Sequence, residues 1–222
     1  MMTILCALVG QDFGAQAGID LGSSMMSVAA MNSAIGAGVH PIGGRTRPVP
    51  NTTFRADPII TARVKRQYLD FLARKVSPSA SQDAAKFLGQ VDFKQAWARA
   101  EGPDGLRPDN VADAAAAYFA LNWCIANGKD SFTAASVQAL RRQFGPVIFG
   151  QPAFRRLSNA QRQEMAEVWM INFVVQAGGY GGAKSNPAML QKVQDAAVTR
   201  FKNEAHLDLR TLRLTDQGFV KA

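Results

Sequence analysis

The sequence predicts an all-α fold: an irregular bundle of about six or seven helices behind a flexible N-terminal leader and before an extended C-terminal tail. Three observations carry that expectation. Apolar residues recur at three- and four-residue spacings through most of the chain after Asp57. Capping residues and Gly/Pro stops bracket those stretches. Neither an alternation of strands with helices nor an internal repeat interrupts them.

The chain has 222 residues, enough for one good-sized core or two small ones. At 47% hydrophobic and 19% charged it has ordinary globular composition, which sets disorder aside. Residues 1–10 form a short apolar stub with no Lys or Arg before it. It reads either as a truncated signal peptide or as a plain apolar terminus. The Thr3-Ile4-Leu5 ahead of Cys6 lacks the small residues of a lipoprotein box. From 11 to 56 the composition turns to Gly, Ser, Met and Pro, as expected of a leader or linker. Its Met25, Met26 and Met31 suit an adaptable apolar strap.

The helical domain is expected over 57–222. Asp57-Pro58 starts a helix, with Asp as N-cap and Pro at the first helical position. Ile60, Val64, Tyr68, Phe71, Leu72 and Val76 then mark its apolar face. Ser81 to Ala100 reads as two short helices, divided near Gly89 and restarted by Asp92. Gly102-Pro103-Asp104-Gly105 is a turn. Pro108 to Gly128 is the clearest helix, capped by Asp109 or Asn110 and apolar around most of its circumference, so it is expected at the centre. Further helices are expected over Thr133 to Phe144, over Ser158 to Ala177, and from Asn186-Pro187 to about His206. Ser158 and Gln161 form a capping-box pattern. Gly178-Gly179-Tyr180-Gly181-Gly182 is expected to end that helix as a flexible loop presenting Tyr180. The tail, Asp208 to Ala222, is expected as an extended strap or a short strand.

The formal net charge of +8 suits an anionic partner. The positive residues are scattered, and the longest uninterrupted runs are the pairs Arg141-Arg142 and Arg155-Arg156. A solvated basic surface is therefore preferred to a nucleic-acid interface, which would gather the charge and add a reading motif. No apolar stretch is long enough to span a bilayer.

Catalytic, metal and cofactor motifs do not emerge from the sequence. Cys6, Cys124, His40 and His206 are too few and too dispersed for a zinc site, and Cys124 reads as a buried thiol. Neither His lies near a nucleophile elbow. The glycine run before Lys184-Ser185 fails the phosphate-loop pattern. Glu164 and Glu167 share a helix face and read as solvent-facing, while Glu101 before its turn is a weak lone acid. Polar residues inside apolar runs stand out instead: Tyr118, Asn122 and Trp123 on one helix, Trp169 and Asn172 on another. Buried amides and indoles need partners, so these are expected to join the two helices, with a small pocket as the alternative. Candidate binding residues are therefore these five, Arg141, Arg142, Arg155, Arg156 and Tyr180.

The run Gly105-Leu106-Arg107-Pro108-Asp109-Asn110-Val111-Ala112-Asp113-Ala114-Ala115-Ala116-Ala117-Tyr118, then Asn122-Trp123 and Leu214-Thr215-Asp216-Gln217-Gly218-Phe219, resembles a bacterial domain-of-unknown-function family of helical, exported proteins. The resemblance spans roughly Asp57 to the C-terminus. It implies a helical, exported domain and carries over no catalytic residues. The functional expectation is a non-enzymatic interaction domain, periplasmic or secreted, for an unknown protein or anionic polymer. A cell-wall glycan enzyme, a nucleic-acid binder and a cytoplasmic location are the alternatives.

Overall fold

Sequence-local signals set most of the helix boundaries. The computed structural model describes residues 51–150 and 152–222. Cys6, His40, the apolar stub and the methionine strap lie outside the described residues. The first helix, α1 (Pro58–Lys75), starts where the Asp57 carboxylate accepts from the Ile59 N–H at 2.8 Å. Ser77 caps α2 (Pro78–Gln90) and Asp92 caps α3 (Phe93–Glu101), so the stretch after Ser81 is divided near Gly89. A 3₁₀ turn over Gly102–Asp104 follows, closed by Gly105 at φ 78°.

Asn110 caps α4 (Val111–Asn127), and left-handed Gly128 ends it. Thr133 and Ser136 cap α5 (Ala134–Phe144) reciprocally, and Ser158 with Gln161 does the same for α7 (Asn159–Ala183). Between these lie a π-helical turn, Gly145–Phe149, and the short α6 (Pro152–Arg155). Asn186 caps α8 (Pro187–Ala205), which ends on His206 in the left-handed region at φ 48°.

The centre is the pair α4 and α7, which share the largest helix–helix interface. All but two residues of α4 are buried, as its all-round apolar character requires. Helix α1 runs alongside α7 in the same direction, with Asp57 meeting Gln163 and Thr61 meeting Glu167. Helix α8 runs the other way along α4, and its Phe201 packs on Tyr118 and Phe119 at centroid separations of 5.8 and 5.1 Å. Trp97 of α3 meets Phe173 of α7 edge-on.

The tail forms a small hairpin, β1 (Leu212–Thr215) and β2 (Gly218–Lys221), paired Leu212 to Lys221 and Thr215 to Gly218. Three side chains hold it to the helices. The Trp123 indole N–H donates to the Leu212 carbonyl at 2.8 Å, and Asn127 donates to the Leu209 carbonyl at 3.1 Å. The Gln143 amide accepts from the Phe219 N–H and donates to its carbonyl, both at 2.9 Å, standing in for a further strand. Gly218 is required beside it, since a Cβ there would lie 2.6 Å from the Gln143 oxygen and φ is 94°.

The structure corrects three expectations. The domain begins before Asp57: Thr53 bridges to Asn110, and Phe54 is buried, so residues 51–56 of the expected leader lie on the domain. Helix α7 continues through Gly178-Gly179-Tyr180-Gly181-Gly182 to Ala183. Tyr180 is only 6% exposed, and its hydroxyl donates to the Lys129 carbonyl at 3.1 Å. Packing of that ring against the end of α4 outweighs the low helix propensity of four glycines. Finally, Glu167 is fully buried rather than solvent-facing.

Candidate functional site

A buried polar cluster lies where α4, α7 and α8 meet. Arg200 of α8 donates through one terminal nitrogen to the Asn122 side-chain oxygen at 2.5 Å and to that of Gln176 at 3.2 Å. Asn122 completes itself by donating to the Tyr118 carbonyl one turn back, at 2.8 Å. Burial raises the Tyr118 and Tyr68 phenols, and the nearby Arg200 charge opposes that shift in both. Asn172 donates to its own helix, at the Val168 carbonyl, 2.9 Å away. Trp169 is buried on the same helix. Asn122 and Asn172 therefore do not meet directly. The link between α4 and α7 runs through Arg200 and Gln176, which the sequence reading missed. Arg200 reads from sequence as one more surface charge on an amphipathic helix. Trp123 faces the other way and anchors the tail.

A second cluster surrounds Glu167. Its Oε1 accepts from Thr61 at 2.8 Å and from Gln163 at 2.9 Å, with the Lys94 ammonium at 3.4 Å. Gln163 also bonds the Asp57 backbone at both its carbonyl and its N–H. This arrangement ties α1, α3 and α7 together and leaves the carboxylate no open approach. Its former partner in the sequence reading, Glu164, forms an ion pair with Arg63 at 2.7 Å. Asp113 of α4 is likewise buried, accepting from the Arg107 N–H and ion-paired with Arg141.

Glu101 is 4% exposed at the end of α3. Burial, helped by the charge of Asp104, pushes its carboxyl up to about 8, so it holds its proton at neutral pH. That is a general acid's property, but the group sits inside the fold rather than in a cleft. Burial pushes the Cys124 thiol up to about 12, which makes it an inert core group. No cluster of three or more His, Cys, Asp or Glu side chains suited to a metal occurs among the described residues.

The remaining candidates lie at the surface, and the fold gathers some of them. The Arg55 N–H donates to the Asn159 side chain and its carbonyl accepts from the same amide, both at 2.7 Å. Arg162 reaches back to the carbonyls of Thr53 at 3.1 Å and Leu157 at 2.9 Å. Arg55 is thus held beside the start of α7, directly after the segment carrying exposed Arg155 and Arg156. No carboxylate forms an ion pair with these four arginines among the described residues. The positive pole of a 25-residue helix adds to their field. Arg142 is exposed at the end of α5. No described helix is long and apolar enough to cross a membrane.

These features define a mostly helical domain, closed by a small hairpin, with polar cross-links inside an apolar core and exposed arginines at the start of α7. The chain belongs to a family of unknown function, DUF6683, whose model matches residues 44–221. That match starts ahead of the docked segment 51–56, so the segment belongs to the family's unit. No curated protein and no solved structure matches the chain.

Proposed function

We propose that this chain is a non-enzymatic interaction domain of an exported bacterial protein, and that it docks an anionic polymer at the start of α7. The observation that carries the reading is the gathering of Arg55, Arg155, Arg156 and Arg162 around Asn159, from two segments about a hundred residues apart in sequence. Such a cluster, with no carboxylate ion pair among the described residues and added to a helix N-terminus, concentrates a polyanion by charge. Two acids close by in sequence are occupied: Asp57 caps α1 and Glu164 pairs with Arg63.

The interior carboxylates support the same reading, because Glu167 is spent on cross-linking helices and Glu101 is enclosed. Export is supported by the apolar run over 1–10 and the Gly/Ser/Met-rich stretch after it. A fusion of alkaline phosphatase to the full chain tests it, since that enzyme is active only outside the cytoplasm.

The docking reading is tested by fluorescence anisotropy with labelled heparin as the polyanion, comparing the full chain with a variant carrying Gln at all four arginines. Binding that the variant loses supports it. Equal binding by both proteins contradicts it, and turnover of purified cell-wall glycan would favour an enzyme instead.

A further inference from the structure

Ile59, in the first turn of α1, is 75% exposed, and it is the one large hydrophobic side chain left exposed among the described residues. Ala56, Pro58 and Ala62 around it are exposed as well. A lone exposed aliphatic is ordinary on a protein surface, so its surroundings decide what it means. Side chains on a helix tilt toward its N-terminus, and Ile59 therefore leans past the start of α1. That start lies beside the start of α7, because the two helices run in the same direction with Asp57 at Gln163 and Thr61 at Glu167. Arg55 is held at the junction by both of its backbone bonds to Asn159. On α1, Arg63 and exposed Arg66 follow Ile59 on the same stripe. Glu164 is taken up by Arg63, and the exposed acid of α1, Asp70, stands roughly three turns further along.

An isoleucine rimmed by arginines fits a partner that is apolar and anionic at once. A dissolved polyanion gives Ile59 no apolar phase to enter. A stable protein partner would need a far larger patch than one isoleucine and its small neighbours. An anionic bilayer supplies both parts. Its headgroups attract arginine, and the acyl layer beneath takes an aliphatic side chain out of water.

We propose that the adjoining starts of α1 and α7 seat on an anionic lipid surface. Ile59 enters the boundary between headgroups and acyl chains, and Arg55, Arg66, Arg155 and Arg156 meet the headgroups. The proposal rests on the polyanion reading of this end and names the carrier of the negative charge.

The test is co-sedimentation of the full chain with vesicles of mixed phosphatidylglycerol and phosphatidylcholine, and with vesicles of phosphatidylcholine alone. The expected result is binding to the anionic vesicles that weakens with salt, and little binding to the neutral ones. Ile59→Gln changes an exposed side chain and leaves the core untouched. It should weaken binding to anionic vesicles roughly tenfold, the scale of one partly buried aliphatic side chain, and leave heparin affinity unchanged. Ile59→Trp should bind the vesicles at least as tightly, and its added emission should shift to the blue when they are present. Gln at Arg55, Arg155 and Arg156 together should weaken binding to vesicles and heparin alike. Heparin bound and anionic vesicles ignored, or Ile59→Gln binding vesicles as tightly as the natural chain, would overturn the lipid surface and leave the polyanion reading standing. Vesicles bound and heparin ignored would support the lipid surface and contradict the soluble polymer. Neither one bound would overturn both.

Discussion

The Arg200 guanidinium donates to the Asn122 side-chain oxygen at 2.5 Å, and both groups are buried between α4 and α8. Removing the acceptor alone takes away the shorter of the two amide hydrogen bonds that hold this cation inside the fold. Asn122→Leu is therefore expected to destabilise the fold by about 3 kcal/mol. Adding Arg200→Met should recover much of that loss, because the buried charge leaves with it. Urea denaturation of the two single variants and the double variant measures the coupling.

Glu167 and Lys94 should behave in the same way at the junction of α1, α3 and α7. Lys94→Met leaves a fully buried carboxylate with only Thr61 and Gln163 as donors. A loss of about 3 kcal/mol is expected, and Glu167→Leu in the same chain should largely restore stability. Additive losses in the denaturation midpoints would show that the two charges do not share one site.

Glu101 makes stability depend on pH with a definite sign. Its carboxyl is raised from 4.5 to about 8 by burial, so the folded chain holds a proton there that the unfolded chain releases. Stability from this group is present below about 4.5 and is lost as pH rises towards 8, with a limiting slope of about 1.4 kcal/mol per pH unit. Glu101→Gln stays neutral throughout. The difference in unfolding free energy between this variant and the natural chain should grow in the variant's favour from pH 5 to 8, and a flat difference would contradict the burial of this group.

The glycine run inside α7 gives a conformational test. Gly182 is exposed, helical, and not among the glycines of positive φ. Gly182→Ala should stabilise the chain by about 0.5–1 kcal/mol, the usual gain at a helical glycine. A destabilised variant in thermal unfolding would mean that the run breaks the helix after all.

Much of this architecture is legible in the sequence because its signals are local. Asp57-Pro58, Asp92, Asn110, Thr133, Ser158 with Gln161, and Asn186 each set a helix start through a side chain bonding an N–H within three residues. What escaped depends on partners distant in sequence. The glycine run stays helical because Tyr180 meets Lys129, 51 residues away. Glu167 is buried because Thr61 and Lys94 come to it from other helices. Asn122 and Gln176 are joined by Arg200, whose spacing on α8 carries no mark of burial. The basic end is the same kind of case, since nothing near Arg155 or Arg156 announces that Arg55 will be held beside Asn159, 104 residues on.

That basic end is where the functional account is most directly exposed. The deciding measurement is the salt dependence of heparin affinity for the natural chain and for the variant with Gln at positions 55, 155, 156 and 162. The account predicts affinity that falls steeply and log-linearly with salt, and a loss of at least about tenfold in the variant at low salt, at a temperature where the variant is folded. An affinity that is insensitive to salt, or equal in the two proteins, would contradict it.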